Sequence, residues 1–444
     1  MDIGKVDYSG TEDVTLNLLE PKMVADLNNI DSLAKAKDFT DKWGTHLITS
    51  LKTGGMLFVS IAAETSDKEE KEKLAIKLNA KYNGAVSLSA AASVITETAS
   101  TQTSKSFEQK VLAFGGQATK AAVIDGKDKQ TILNWIETCS ADTVFKVNES
   151  IEIYTLVSGK PHDFLKKYIN LTLLAQSIKN PTVFLKEKNI AAYETNTVTA
   201  PGTRTDHYKI IGGGATASPG CSSYLMGCYP QLSGGKPTGW HAVSHDIHNA
   251  ANPARDVLSS YAIGIYDPEN LIEVTVAEKA GTNTKVGGDT ATATLADGWI
   301  LTSGGLNTVV KTGAGKYVIS SYYSEDKKSW IGNASDYVSP ATDATLTAYA
   351  IGIKSKDAAL EIEAMYVTSP QSRGQHGRNT ANAQTGICGG GIHVSDNSGM
   401  GNLVQQSYPS SATAWMGTND DLAGNISVAN SRAYAIALNA KVKV

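Results

Sequence analysis

Long apolar runs are missing from this chain of 444 residues. No stretch approaches about eighteen consecutive apolar residues, which excludes a conventional membrane-spanning helix and leaves any bilayer contact to another route. Cysteine is sparse: Cys139, Cys221, Cys228 and Cys388 are too few for a disulfide scaffold. Cys221 and Cys228 either pair across a turn or remain two reduced, buried thiols. An excess of one charge is lacking too. The 40 Lys+Arg against 44 Asp+Glu leave a net charge of -4, no footprint for nucleic acid. The opening MDIGKVDYSGTEDVTLNLLEPK has neither the basic nor the apolar part of a signal peptide. Catalytic motifs are absent as well: there is no Gly-x-Ser-x-Gly, paired CxxC or phosphate loop. The glycine clusters lack the Lys-Ser/Thr that phosphate chemistry needs, so neither an enzyme nor a bound cofactor is expected.

What the chain does contain falls into two halves with different grammar. Residues 1–194 mix helix and strand signals and are expected to be one α+β domain. EPKMVADLNNIDSLAKAKDFTDKW, TILNWIETCSAD and HDFLKKYINLTLLAQSIKN carry helical apolar spacing, whereas THLITSLKTGGMLFVSIAAE and SFEQKVLAFGG read as strands. Thr195 to Arg204, TNTVTAPGTR, is polar and turn-rich and reads as a linker.

Residues 205–444 are triplicated. SSYLMGCYP (Ser222–Pro230), GKYVISSYY (Gly315–Tyr323) and GNLVQQSYP (Gly401–Pro409) each follow a glycine cluster and precede a tryptophan. Each unit then reaches a strand beginning at Tyr261, Tyr349 or Tyr434 in YAIGI, YAIGI and YAIAL. The expected repeats run about 205–280, 281–367 and 368–444, with period-two strands such as LIEVTVAE between them. Three all-β units predict a closed threefold arrangement, a β-prism-like module, ahead of a trefoil with its shorter units.

Two constellations in this half invite a binding role. An aspartate stands six positions beyond each tryptophan: Trp240 and Asp246, Trp330 and Asp336, Trp415 and Asp421. An indole beside a carboxylate suits the face and hydroxyls of a sugar, so these are candidate glycan-binding residues, with at least one tryptophan expected to be exposed. The competing reading places the indoles in the core and the aspartates at turns. WHAVSHDIH brings His241, His245 and His248 close in sequence, a weak metal candidate because the segment reads as a loop.

The first half holds KWGTHLITSLKTGG, with Trp43, Gly44, Thr45, His46 and Leu47 followed after six further residues by Gly54 and Gly55. Taken alone, the motif is a helix-to-strand corner, with the glycines where a strand must bend. In its spacing and flanks it resembles the signature of the membrane attack complex/perforin superfamily. Trp43 stands for that family's usual tyrosine and Leu47 for its usual aromatic residue. The likeness covers roughly residues 10–180. With the threefold module, the chain is similar to bacterial insecticidal members carrying a C-terminal β-prism.

The resemblance implies a bent antiparallel sheet with flanking helical clusters. It also implies a protein released or secreted in soluble form. It would bind a target cell membrane, with a glycan or glycoprotein as its candidate receptor, form a homo-oligomeric ring and insert β-hairpins. Thr65–Lys105 suits such a change because it satisfies both periods: EEKEKLAIKLNAKYN reads as a helix. As strands, Leu74, Ile76, Leu78, Ala80 and Tyr82 alternate with polar residues, and Val86, Leu88, Ala90, Ala92 and Val94 alternate with small ones. The family places a strand and a first insertion segment before the signature. Only 42 residues precede Trp43 here, so about a hundred residues are expected to be missing, and a non-lytic, lectin-like binding protein is the alternative function.

Overall fold

A computed structural model describes residues 2–7, 19–63, 107–124, 128–140, 143–189, 193–200, 207–218, 223–246, 257–281, 288–312, 316–336, 343–395, 402–421 and 428–444. It divides into two compact units, Met1–Lys167 and Tyr168–Val444.

The first unit is built on one long strand. Strand β1 (Asp2–Asp7) precedes helices α1 (Pro21–Asn28) and α2 (Leu33–Trp43), which lead into β2 (His46–Ala63). Ser32 starts α2 by accepting from the Lys35 amide, and Ala36 and Phe39 form its buried stripe. Gly44 ends it at φ 89°, its N–H returning to the Thr40 carbonyl. β3 (Phe107–Gly115), α3 (Ala118–Ala121), α4 (Lys129–Ile136) and β4 (Val144–Glu152) follow. β2 changes partners midway. From His46 to Gly54 it pairs with β1 and β4, with several register shifts against β4; from Gly55 to Ala63 it pairs with β3 in unbroken register.

The second unit takes up the end of α5 (Gly159–Lys179), whose Leu171, Leu174, Ala175 and Ile178 enter its main core. Its first repeat is β5 (Thr182–Asn189), β6 (Tyr193–Thr199), β7 (Tyr208–Ala217), β8 (Ser223–Ser233), β9 (Lys236–Asp246) and β10 (Val257–Tyr266). The second is β11 (Ile272–Ala280), β12 (Gly288–Thr294), β13 (Ile300–Thr312), β14 (Lys316–Tyr323), β15 (Ser329–Asp336) and β16 (Asp343–Ser355). The third is β17 (Leu360–Thr368), a short β18 (Ser372–Gly374), β19 (His376–Asn382), β20 (Ile387–Ser395), β21 (Asn402–Ser411), β22 (Ala414–Asp421) and β23 (Ala429–Val442).

The three sheets do not coincide with the three repeats. One sheet runs β19-β22-β21-β7-β10-β5, another β11-β16-β13-β8-β9-β6, and the third β12-β15-β14-β20-β23-β17 with β18 on β23. Each is half one repeat and half its neighbour. The halves join through only one or two paired positions: Gln406 and Ser407 with Thr216 and Ala215, Leu306 and Asn307 with Cys228 and Gly227, Ser321 with Ile392.

Two sequence expectations are corrected. Thr195–Thr199, read as the start of the linker of residues 195–204, is the end of β6 and pairs with β9. Its threonines and valine suit a strand, and the amide nitrogen of the buried Asn196 donates to the Lys186 and Leu258 carbonyls. The module therefore begins at Thr182 rather than 205, and the boundary at 194 falls inside it. The repeats are also out of phase with the expected divisions. LIEVTVAE opens the second repeat because β11 pairs with that repeat's own β16.

The core explains the glycine clusters. Trp240, Trp330 and Trp415 are each 0% exposed. A Cβ on Gly213, Gly304 or Gly390 would fall against the indole of Trp240, Trp330 or Trp415 respectively. The indole N–H groups donate to Cys228 Sγ at 3.1 Å, Ser321 Oγ at 2.8 Å and Ser407 Oγ at 3.1 Å. These acceptors stand at equivalent places in the three repeats, and the next glycine in each cluster lets their backbones close in: Gly305 meets Cys228, Gly391 meets Ser321 and Gly214 meets Ser407. The contacts close a cycle from first repeat to second to third and back.

Replacing Trp330 with Ala should cost about 3–5 kcal/mol, and Gly304→Ala about 1–3 kcal/mol through overpacking. The double variant should cost little more than Trp330→Ala alone, because the cavity accepts the methyl. Denaturant melts of the full chain measure all three, and additive losses would contradict this packing.

Candidate functional site

The corner and the paired glycines of the signature are separate devices. At the corner, Asp26 of α1 accepts from Lys42 Nζ at 2.6 Å and Trp43 Nε1 at 3.0 Å. The hydrogen bond from Lys42 is the main cause holding the Asp26 carboxyl below its ordinary range. Lys42 also lies 4.7 Å from the centre of the Trp43 ring. The Thr45 carbonyl accepts from the Ile153 amide, and its hydroxyl lies 2.9 Å from His46 Nδ1. His46 is exposed and paired with Glu152 at the start of β2. It therefore stands about 26 Å along the strand from Gly54.

The glycines sit where β2 exchanges partners. Gly54 has φ 108° and donates to the Thr143 carbonyl at 2.7 Å. Gly55 pairs with Gly115, and Gly115 and Gly116 have φ 85° and 63°. The side chain facing this crossing is Trp135 of α4, fully buried, with its Nε1 donating to the Gly115 carbonyl at 2.9 Å. A Cβ on Gly55 would strike Cys139 Sγ and lie 2.8 Å from the Trp135 ring. Asp128 caps α4 by accepting from the Gln130 amide, and Ile132 packs on Val111 of β3. Sequence reading singled out neither Trp135 nor Cys139. The second glycine pair, Gly115–Gly116, was the available signal.

One face of the β2–β3 ribbon carries Val111, covered by Ile132 of α4. The other presents Met56, Leu112 at 55% exposure and Phe114 at 44%. Ala63 pairs with Phe107 at the end of this ribbon. Leu74, Ile76, Leu78, Ala80, Tyr82, Val86, Leu88, Ala90, Ala92 and Val94 lie outside the described residues, as do Cys221 and His248.

In the second unit the tryptophan–aspartate pairs do not form sites. All three indoles are buried, contrary to the expectation that one would be exposed. Trp and Asp also lie on one strand rather than across a loop, and six residues of strand span about 20 Å, far more than one sugar ring. Asp246 and Asp336 are buried. Lys316, fully buried, is ion-paired to Asp289 and lies 3.8 Å from Asp336. His241 and His245 belong to β9, not to a loop or helix, and turn to different neighbours. His241 Nδ1 lies 2.7 Å from Thr197 Oγ1, and His245 Nδ1 lies 2.5 Å from the Tyr317 hydroxyl. No cluster of three metal-ligating side chains occurs among the described residues. Cys228 is a free thiol whose pKa burial pushes up to about 12.

What the sheets do present outward is tyrosine. At each junction between repeats a half-buried tyrosine pair lies across the second glycine: Tyr408 and Tyr261, Tyr229 and Tyr349, Tyr322 and Tyr434. Their ring centres are 5.4, 5.8 and 5.2 Å apart. These residues were visible in the sequence as repeat markers and were not read as surface groups.

Comparison with known proteins gives one family match: residues 5–180 fit the model described as the MAC/Perforin domain. Among solved structures the chain is similar to GNIP1Aa from Chromobacterium piscinae, at 12% identity and a TM-score of 0.26, over 65% of this chain and 54% of that one. It is also similar to Astrotactin-2, described as a conserved vertebrate-specific and perforin-like membrane protein involved in neuronal development. There the identity is 14% and the TM-score 0.22, over 33% of this chain and 56% of that one. The match thus spans about half the length of each structure. No curated protein matches the chain.

The Trp135 contact makes a testable demand. Gly55→Ala should lower the melting temperature of the first unit, with a cost of about 1–3 kcal/mol. Cys139→Ala removes the sulfur that the new methyl meets and should restore part of that loss. An unchanged melt for Gly55→Ala, or no recovery in the double variant, would show that the two strands cross more loosely than described.

Proposed function

We propose that this chain, which carries a MAC/Perforin domain across residues 5–180, is a pore-forming effector. The second unit brings it to a target membrane, copies assemble into a ring, and residues 64–106 insert as a β-hairpin. Among the described residues no helix is long and apolar enough to cross a bilayer. In hydrocarbon every backbone N–H and C=O must be paired within the protein, and a closed barrel of strands meets that demand.

The observation that carries this reading is the register of β2 against β3. From Gly55 with Gly115 to Ala63 with Phe107, partner numbers always sum to 170. Continuing that register past Ala63 sets Ile76 opposite Val94, Leu78 opposite Ala92, Ala80 opposite Ala90 and Tyr82 opposite Leu88. Four of the five apolar positions of each run meet an apolar position of the other, on one face, while Leu74 falls opposite Thr96 and Val86 opposite Gly84. Lys77, Asn79 and Lys81 meet Ser93, Ala91 and Ser89 on the opposite face, and Gly84 falls at the tip. That face continues the one on which Met56, Leu112 and Phe114 are exposed in the folded unit. A chance arrangement of two alternating runs would put the faces in opposition half the time. Each run is nine residues, the length a tilted barrel strand needs (about 9–11).

The test is an environment-sensitive fluorophore on single cysteines. At positions 76, 78, 90 and 92 emission should shift to the blue when vesicles leak and be quenched by lipid-borne quenchers. At 77, 79 and 89 it should stay water-like. Leakage with no difference between the two sets, or no leakage at any protein concentration, would rule out this hairpin.

A further inference from the structure

We propose that Lys316 and Asp289 join covalently: the lysine amine and the aspartate carboxyl condense to an amide that clamps β14 to the edge strand β12. The reaction needs nothing from the first unit or from a membrane, so it stands apart from the pore-forming reading.

Lysine is among the residues least often found fully buried, yet Lys316 is 0% exposed. It sits with Asp289 and Asp336, at 1% and 4% exposure, inside the second repeat. β15 runs between β12 and β14, with Asp289 paired to Ala334 and Lys316 paired to Asp336. The lysine side chain crosses β15 diagonally to reach Asp289, and Ala334 is too short to come between them. Ala291 and Val318, two residues further along the same strands, belong to the main core, as does Ala334. The meeting point is therefore walled by apolar side chains.

Neither of the other repeats has this set. Ser223 and Glu194 stand at the positions of Lys316 and Asp289 in the first repeat, and Asn402 and Gly377 in the third. The aspartate opposite recurs in all three, as Asp246, Asp336 and Asp421. The fold thus calls for that aspartate, but it does not call for a buried lysine and a second carboxylate. Two ions held away from water carry a desolvation cost, and an amide in their place carries no charge.

The three groups are placed for the reaction. Lys316 Nζ is in contact with an Asp289 carboxyl oxygen, and Asp336 Oδ1 lies 3.8 Å from the same nitrogen. One proton passes from the ammonium to the Asp289 carboxylate, turning two buried ions into a neutral amine and acid. The Nζ lone pair then attacks Asp289 Cγ and forms the N–C bond. Asp336 takes a proton from the nitrogen and passes it to the departing hydroxyl, so the Cγ–O bond breaks and water leaves. Ammonium plus carboxylate give amide plus water, with no oxidant, reductant or activated group, and Asp336 ends as it began. The fixed strands supply the orientation, and exclusion of water from the core opposes the reverse hydrolysis.

Mass spectrometry of the denatured full chain tests this. The intact mass should fall one water short of the sequence mass. After trypsin, cleavage beyond Lys316 should be lost, and residues 286–311 should appear joined to residues 312–327, lighter by one water than the two peptides together. Fragmentation of that species should place the bond at Asp289 and Lys316. Lys316→Arg should restore the full mass and the cleavage. Asp336→Asn, which keeps the side-chain shape but cannot carry the proton, should fold and keep the full mass. If Asp336→Asn fails to fold, the mapped bond of the unaltered chain decides. Full sequence mass for the unaltered chain, or a lost water that maps to Asp289 alone or to another pair, would overturn the proposal. Normal bond formation in Asp336→Asn would overturn the role given to Asp336.

Discussion

A tryptophan seated where glycine leaves no side chain is the contact on which both units depend. Trp135 occupies the crossing of Gly55 with Gly115 and Gly116, and Trp240, Trp330 and Trp415 lie on Gly213, Gly304 and Gly390 of the glycine clusters. An indole is flat, rigid and large, so it fixes the separation of the two backbones it touches. It has one polar atom, and in all four cases that N–H finds an acceptor: a carbonyl, a thiol sulfur or one of two serine hydroxyls. Burial of that many apolar atoms favours the contact strongly, and the absent Cβ is the condition for it.

In the second unit this contact carries a load that backbone pairing does not. The repeats join through one or two ladder positions at each junction, too few to hold two sheet halves in register. The indole closes each junction instead, because the residue accepting its N–H also meets the next repeat's glycine. The same close approach that buries the tryptophan leaves a tyrosine pair side by side on the opposite, outward face. Surface chemistry at the junctions is thus a by-product of core packing.

Much of this was legible in the sequence, and the exceptions have a common cause. The threefold repeat, the helix-to-strand corner and the strand after it all appear as spacing. Repeat phase did not, because a repeat begins wherever its outer strand pairs, and pairing partners are not written along the chain. Trp-x5-Asp looked like a site only while the segment was taken for a loop; in a strand the two residues are too far apart to share a ligand. The linker was misread for a related reason: TNTVT is polar by composition, but threonine is a strand former, and a single buried asparagine there bonds two neighbouring carbonyls.

The contrast between the two ends of β2 bears on how the first unit could change shape. Against β4 the register slips at several points, which leaves that pairing short of ideal ladder bonds and easier to rearrange. Against β3 it is unbroken for all nine positions up to Ala63, so this ribbon can lengthen without any existing pair being broken. On the pore-forming reading proposed above, extension would have to offset whatever holds residues 64–106 before insertion, and it would return ladder hydrogen bonds with each added pair. The face that would meet lipid is poor in large side chains, with Ala80, Ala90 and Ala92 among its members. One hairpin would therefore gain little from leaving water and would have two unpaired edges in hydrocarbon. Both deficits would be removed together if neighbouring hairpins paired edge to edge, so the proposed insertion would require assembly first.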